Sequence, residues 1–200
     1  MVISLRDLTA VILAGGRGRR MGGSDKGLVE LEGRPLIAHI LNALAPQVGT
    51  VLINANRNAK QYEAFGYPVV SDALDGFQGP LAGFASAMAA ATTPYILTLP
   101  CDGPLVPPDY AARMMHALEI PGSEIAVAHD GNRMQPVYAL LPVRLMADLE
   151  GFLAQGDRKI DLWYAGRRTA LADFSDRPDA FRNINPPQDR DQLQKEVAVT

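Results

Sequence analysis

This sequence of 200 residues has little cysteine and no excess of basic charge. A single cysteine, Cys101, excludes an internal disulfide and is typical of a protein from a reducing compartment. The formal net charge is −3, whereas proteins that bind nucleic acid or membrane surfaces generally carry a broad basic excess. We therefore expect neither nucleic acid nor a membrane surface as a partner.

Long apolar runs are also missing. No stretch reaches the roughly eighteen apolar residues needed to cross a bilayer, and the first residues lack the pattern of a signal peptide. We expect a cytoplasmic protein. The chain has three histidines, and none has a second ligand at metal-binding spacing. We expect no histidine-bound metal.

Hydrophobic residues make up 48% of the chain, which is enough for one domain covering residues 1–200. In the first 120 residues, short apolar segments alternate with helical patterns. Such alternation indicates a mostly parallel sheet with helices on both faces, in three α/β/α layers. The predicted strands are 9–14, 50–54, 68–71 and 95–99, and the predicted helices are 35–44, 59–65, 80–91 and 108–118.

The pattern changes after residue 120. Two apolar segments flank the turn Asp130-Gly131-Asn132 and predict a hairpin inserted into the second half of the fold. The remaining predicted elements are helices at 143–154, 159–165 and 188–196, a strand at 169–173 and a strand-like piece at 181–186.

Residues 13–28 read LAGGRGRRMGGSDKGL, a loop rich in glycine and cations directly after the first strand. It is not a Walker A motif, because Lys26 is followed by Gly27, and it lacks the third glycine of a dinucleotide fingerprint. Its chemistry still suits a phosphate, because glycines let backbone N–H groups approach closely. Arg20 and Lys26 are the predicted cations. Arg17 and Arg19 rank below them, and no role is assigned to Asp25.

Polar or glycine residues follow each of the four predicted strands. Ligands of open α/β sheets bind outside the carboxyl ends of the strands, so these residues are candidates for one site. Asp102, beside a polyphosphate, would suit Mg²⁺, although a turn role is also open. Amide side chains can read a base or a ribose, or stabilise a turn. The candidates are Gly15, Gly16, Asn54, Asn56, Asp72 and Asp102. Cys101, at the same strand end, is expected to be a small buried residue, because no partner histidine is evident nearby.

These motifs, in this order, resemble those of the molybdenum cofactor guanylyltransferases, which belong to the GT-A-like nucleotidyltransferases. The resemblance covers nearly the whole chain and implies a Rossmann-like nucleotidyltransferase fold, with a nucleotide-binding half at 1–120 and an acceptor-binding half at 121–200. The motifs are LAGG (13–16), RMGG (20–23), DK (25–26), NAN (54–56), GPLAG (79–83), PCD (100–102), HDG (129–131) and FRNIN (181–185).

The resemblance implies a reaction and a role for each matching residue. GTP and molybdenum-loaded molybdopterin would give a guanine dinucleotide cofactor and pyrophosphate. Lys26 and Asp102 would be catalytic, with Mg²⁺ on Asp102, and Arg20 is assigned beside Lys26 at the triphosphate because of its charge. Asn183 and Asn185, in the second half of the chain, are candidate acceptor contacts, although a turn role is also open for both. Relatives that use CTP typically read LAAG, so Gly15 favours GTP. The residues implied around GTP are Leu13, Ala14, Gly15, Gly16, Lys26, Asn54, Asp72 and Asp102.

Two alternatives remain open from the sequence. One is a related nucleotidyltransferase that uses CTP or acts on a sugar or polyol phosphate. The other is a non-catalytic carrier that binds GTP without turnover. For the guanylyltransferase we expect a monomer, with other cofactor-biosynthesis proteins and recipient molybdoenzymes as candidate partners.

Overall fold

A computed structural model describes residues 3–16, 25–73 and 78–184. Its strands are β1 (Leu8–Leu13), β2 (Glu30–Leu31), β3 (Arg34–Pro35), β4 (Thr50–Asn54), β5 (Val69–Val70), β6 (Tyr95–Pro100), β7 (Ile125–His129), β8 (Met134–Pro142) and β9 (Thr169–Asp173). Its α-helices are α1 (Leu36–Leu44), α2 (Ala59–Glu63), α3 (Pro80–Ala90), α4 (Tyr110–Leu118), α5 (Met146–Ala154) and α6 (Ile160–Ala165). None of the helices in these three ranges is long and apolar enough to cross a membrane.

Seven strands form one sheet in the order β5-β4-β1-β6-β8-β7-β9. Strand β8 runs antiparallel to both of its neighbours, and the other pairs in this sheet are parallel. The predicted mostly parallel sheet with a hairpin in the second half is therefore confirmed. Elements from both halves of the chain share this sheet; the prediction of a single domain stays a prediction.

The two faces of the sheet pack against different helices. Along β1, Ala10 and Ile12 belong to the core cluster that contains residues of α1 and α4. Val11 lies in the cluster that contains residues of α3 and α5. Successive residues of a strand point to opposite faces, so a strand buried on both faces is apolar at nearly every position; in β1 the exception is Thr9, whose buried hydroxyl is hydrogen-bonded to the Thr50 and Thr93 hydroxyls. This explains the continuous apolar run that predicted β1.

The predicted elements differ from the observed ones mainly at short segments. Strands β2 and β3, of two residues each, were not predicted. They form a hairpin whose two turn residues, Glu32 and Gly33, both have positive φ. The predicted strand-like piece at 181–186 is not a strand in its described part. Phe181 is the last residue of a 3-10 helix, Pro178–Phe181, and residues 182–184 have no regular structure. The predicted helix at 188–196 lies outside the described residues.

Candidate functional site

The carboxyl ends of β1, β4 and β6 lie side by side, which brings their flanking residues to one edge of the sheet. Leu13, the last residue of β1, is paired with Asn54 on one side and Pro100 on the other. The pairing continues past the strands, where the Ala14 N–H donates to the Asn54 carbonyl at 2.8 Å and the Cys101 N–H donates to the Leu13 carbonyl at 3.1 Å. The expected convergence of strand ends is thus present.

Asn54, Asn56 and Asp72 form a hydrogen-bonded cluster at this edge. The amide nitrogens of Asn54 and Asn56 donate to the two Asp72 carboxylate oxygens, at 2.9 and 2.7 Å. In return, the Asn56 side-chain carbonyl accepts the Asp72 backbone N–H at 2.7 Å. Asn54 is buried, so its amide needs such partners. These bonds hold the three polar side chains in a fixed arrangement relative to one another.

Glycines let two backbone segments approach this cluster closely. A Cβ at Gly15 would lie 2.9 Å from the Asn56 amide nitrogen, and a Cβ at Gly83 of α3 would lie 2.7 Å from the Asn54 side-chain oxygen. Contacts this short do not occur for real Cβ atoms. A larger residue at either position would displace the asparagines.

A cavity of about 320 Å³ opens beside the cluster. Of the residues predicted around GTP, Leu13, Gly15, Gly16, Asn54 and Asp72 line it. Ala14 lies buried and is not part of the lining. The cavity is also lined by Gly79, Pro80, Pro100 and Val137.

Val137 is the lining residue that the sequence did not single out. It lies on β8, far along the chain from β1, and reaches the cavity because β8 is the neighbour of β6. No local signal marks an apolar residue of this kind. Only the strand order identifies it.

Lys26 and Asp102 meet at a second point along the edge. The Lys26 ammonium donates to Asp102 Oδ2 at 2.7 Å, and the exposed fractions of the two side chains are 31% and 12%. A short 3-10 helix, Lys26–Leu28, carries the lysine, and Asp102 follows β6. Neither residue lines the cavity beside Asn54. The site therefore has two distinct parts, the cavity beside Asn54 and the Lys26–Asp102 pair.

Asp102 is also joined to the end of the described chain. The Ile184 N–H donates to the Asp102 carbonyl at 2.8 Å, so the exposed Asn183 lies within two residues of that contact along the chain. Two other predicted site residues, Arg20 and Asn185, lie outside the described residues, as do Arg17 and Arg19. The predicted roles of all the site residues stay predictions.

Cys101 is buried between these groups. Burial, reinforced by the neighbouring Asp102 and Asp25 carboxylates, raises the pKa of its thiol to about 12. A thiol with such a pKa is protonated at neutral pH and is a poor nucleophile. The position favours a packing role for Cys101.

The donor set suits a magnesium ion only if phosphate and water complete the coordination. In residues 3–16, 25–73 and 78–184, no group of three or more His, Cys, Asp or Glu side chains could hold a metal. Asp102 has a second carboxylate oxygen besides the one bonded to Lys26, and Mg²⁺ commonly takes one or two protein carboxylates. Asp102 therefore fits as the protein ligand of a phosphate-bound Mg²⁺.

The sequence matches the model of a known protein family. Residues 10–170 match the MobA-like NTP transferase domain. The chain belongs to that family. The predicted family and the predicted class of enzyme, a nucleotidyltransferase, are thereby confirmed.

Relatives of similar length share about half of the sequence. A molybdenum cofactor guanylyltransferase from Shewanella sediminis is 51% identical over 191 residues, which cover 96% of this chain and 97% of that protein. One from Shewanella halifaxensis is 52% identical over 189 residues, covering 94% of each chain. Among solved structures, molybdopterin-guanine dinucleotide biosynthesis protein A from Archaeoglobus fulgidus has a TM-score of 0.78 at 24% identity, over 96% of this chain and 100% of that chain. That structure shows a shared fold.

Proposed function

We propose that this chain transfers GMP from GTP to molybdenum-loaded molybdopterin, forming a guanine dinucleotide cofactor and pyrophosphate. The observation that carries the proposal is the pocket at Gly15, Asn54 and Asp72 beside the Lys26–Asp102 pair. The nucleoside part of GTP suits the largely apolar pocket, and its triphosphate suits the neighbouring charged pair. The relatives named molybdenum cofactor guanylyltransferase supply the choice of acceptor.

The guanosine would occupy the cavity beside Asn54. Leu13 supplies an apolar wall, and Gly15 leaves room next to the Asn56 amide. Asp72 and Asn54 line the cavity with a carboxylate and an amide, which suit the hydrogen-bonding edges of a purine or the hydroxyls of a ribose. An alanine at position 15, as in the CTP-using relatives, would press on Asn56 and reshape the pocket.

The transfer itself needs little acid–base chemistry. A terminal phosphate oxygen of the pterin would attack the α-phosphorus of GTP, and the bond from that phosphorus to the bridging oxygen would break, releasing pyrophosphate. A phosphate nucleophile is already ionised at neutral pH, so no general base is required. The protein's task is to position the two substrates and to stabilise the developing negative charge.

Lys26, Arg20 and Asp102 would carry the electrostatic part of this task. The Lys26 ammonium and Arg20 would neutralise charge on the triphosphate. Asp102 would hold Mg²⁺, which when bound supplies a positive charge for the phosphate oxygens. Asn183 and Asn185 would contact the acceptor, and Asn183 is next in the chain to Ile184, whose N–H donates to the Asp102 carbonyl. The reaction would take place in the cytoplasm and serve recipient molybdoenzymes.

Pyrophosphate release measures this function directly. With molybdenum-loaded molybdopterin and Mg²⁺, we expect release from GTP but not from CTP. Release from CTP alone would favour the alternative of a nucleotidyltransferase that uses CTP. Release that requires a sugar or polyol phosphate as acceptor would favour a nucleotidyltransferase acting on that phosphate. Binding of GTP without pyrophosphate release would show a carrier and contradict the proposal.

Lys26→Ala and Asp102→Asn test the charged pair. Removing a preorganised group that stabilises transition-state charge costs on the order of 100-fold in rate, so we expect losses of about that size in guanylyl transfer, with the fold retained by circular dichroism. Lys60→Ala is the matched control, because Lys60 is an exposed lysine of α2. Transfer at the control's rate in both site variants would refute the assigned roles.

A further inference from the structure

Asp25, directly before Lys26, is a buried carboxylate that the proposed chemistry does not use. It accepts a hydrogen bond from the Tyr62 hydroxyl on Oδ1 and one from the Asn58 amide on Oδ2 at 3.0 Å. The Arg57 guanidinium Nε lies 3.6 Å from the same Oδ2. The Asp25 side chain is only 4% exposed. A buried carboxylate is retained only where such donors compensate its lost hydration.

The backbone of Asp25 begins the turn that carries Lys26. The Leu28 N–H donates to the Asp25 carbonyl at 3.1 Å, and the Val29 N–H donates to the Lys26 carbonyl at 3.2 Å. On the other side of Lys26, a Cβ at Gly27 would lie 2.6 Å from the Tyr62 hydroxyl and 3.3 Å from the Cys101 Cβ. Both neighbours of Lys26 are therefore fixed, one by hydrogen bonds and one by close packing.

The donors to Asp25 are themselves rigidly placed. Asn58 adopts the left-handed backbone conformation, with φ of 53°, at the start of α2, and asparagine tolerates this region better than most residues. Tyr62 is fully buried in the core beneath the sheet. Burial first, then the proximity of Cys101 and Asp25, raises the pKa of the Tyr62 hydroxyl far above its ordinary value. The hydroxyl stays protonated and acts as a donor at every physiological pH.

We propose that Asp25 is a positioning residue: its bonds to Tyr62 and Asn58 hold the turn so that the Lys26 ammonium stands at Asp102, where a nucleotide's phosphates are to be bound. The inference rests on the proposed function, because it assigns Lys26 to the triphosphate. A long lysine side chain has many rotamers. Fixing the two flanking residues reduces what must be ordered when the phosphates bind.

Tyr62→Phe isolates the hydroxyl, because it keeps the buried ring and removes only the donor to Asp25. Tyr110→Phe is the matched control: Tyr110 is equally buried in the same core cluster, and its hydroxyl donates to the Thr98 carbonyl at 2.9 Å. Asn58→Gly is a second test, since glycine keeps the left-handed backbone and loses the amide.

The decisive measurement is the affinity for GTP relative to guanosine, by calorimetry on folded protein with Mg²⁺. Only GTP has phosphates for Lys26, so we expect Tyr62→Phe and Asn58→Gly to weaken GTP binding about tenfold, as for loss of one charge-assisted hydrogen bond, and to leave guanosine binding unchanged. Tyr110→Phe should leave both unchanged. Equal weakening of both ligands, or no weakening of GTP, would overturn the proposal.

A double-mutant cycle with Lys26→Ala shows whether Tyr62 acts through the lysine. If it does, Tyr62→Phe weakens GTP binding no further once Lys26 is alanine. Full additivity of the two losses would overturn the proposal. Pyrophosphate release by the unmodified protein tests the proposed function separately. Its absence, with the GTP-specific effect of Tyr62→Phe intact, would reject guanylyl transfer and retain the positioning role.

Discussion

At the scale of single residues, the site is shaped by burial and hydrogen bonding as much as by residue type. Asp25, Asp72 and Asp102 are three aspartates near one sheet edge, yet each has different partners: a tyrosine hydroxyl and an amide, two amides, or a lysine. The lysine bonded to Asp102 is a cation, whereas the hydroxyl and amide donors to Asp25 and Asp72 are neutral and lie on other segments of the chain. Residue type alone does not distinguish these three aspartates.

Cys101 gives a prediction at this scale. With the thiol pKa raised to about 12, the thiolate fraction is negligible at pH 8. We expect iodoacetamide at pH 8 to modify the native protein at least about tenfold more slowly than the protein unfolded in guanidinium. Because the chain has one cysteine, the mass of the modified protein reports this site alone. Equal rates before and after unfolding would contradict a buried, protonated thiol.

At the scale of elements, the start of helix α3 forms one wall of the cavity beside Asn54. Gly79, which precedes the helix, and Pro80, its first residue, line the cavity, and its fourth residue, Gly83, packs against Asn54 and Leu13. A glycine in a helix interior costs helix stability of about 1 kcal/mol. Its presence here is explained by the short approach of the helix to the strand ends.

Gly83→Ala should therefore destabilise the protein. Its Cβ would lie 2.7 Å from the Asn54 side-chain oxygen and 2.8 Å from Leu13 Cδ2, and such overpacking typically costs about 1–3 kcal/mol. Gly151→Ala in α5 is the matched control, because nothing lies within 4 Å of its added Cβ; there we expect a gain of about 0.5–1 kcal/mol. Urea unfolding gives both free energies. A stabilising effect of Gly83→Ala would show that the contact relaxes freely.

At the scale of the whole molecule, the pocket is assembled from distant parts of the chain. Leu13 and Asn54 come from the parallel half of the sheet, and Val137 comes from the antiparallel strand β8. The charged pair is likewise tied to the chain's later residues through the Ile184 bond to Asp102. A ligand bound at this edge would therefore contact segments more than a hundred residues apart.

Ligand binding should stabilise the molecule accordingly. At a GTP concentration about 100 times its dissociation constant, mass action predicts a gain of about 2.7 kcal/mol in the free energy of unfolding. We expect a single thermal transition that moves to higher temperature with GTP and Mg²⁺, and no comparable movement with CTP. Calorimetry checks both. Asn54→Ala should abolish the effect, and an equal response to both nucleotides would contradict guanosine selection by the pocket.

The sequence alone determined the elements and the edge at which they converge. Continuous apolar segments ending in Gly15, Asn54, Asp72 and Asp102 predicted buried parallel strands with polar ends, because local patterns follow directly from burial on two faces. The family followed from the same motifs in order. The β2–β3 hairpin was not predicted, because each of its strands has only two residues, too few to show an alternating pattern.

Only the tertiary structure decided which residues meet. Asp25 is 37 residues from Tyr62, Lys26 is 76 residues from Asp102, and Val137 reaches the cavity through the neighbouring strand of β6. These contacts depend on strand order and on how closely glycines allow segments to approach. Neither property is encoded in a local window, because both arise from packing between elements that are remote in the chain.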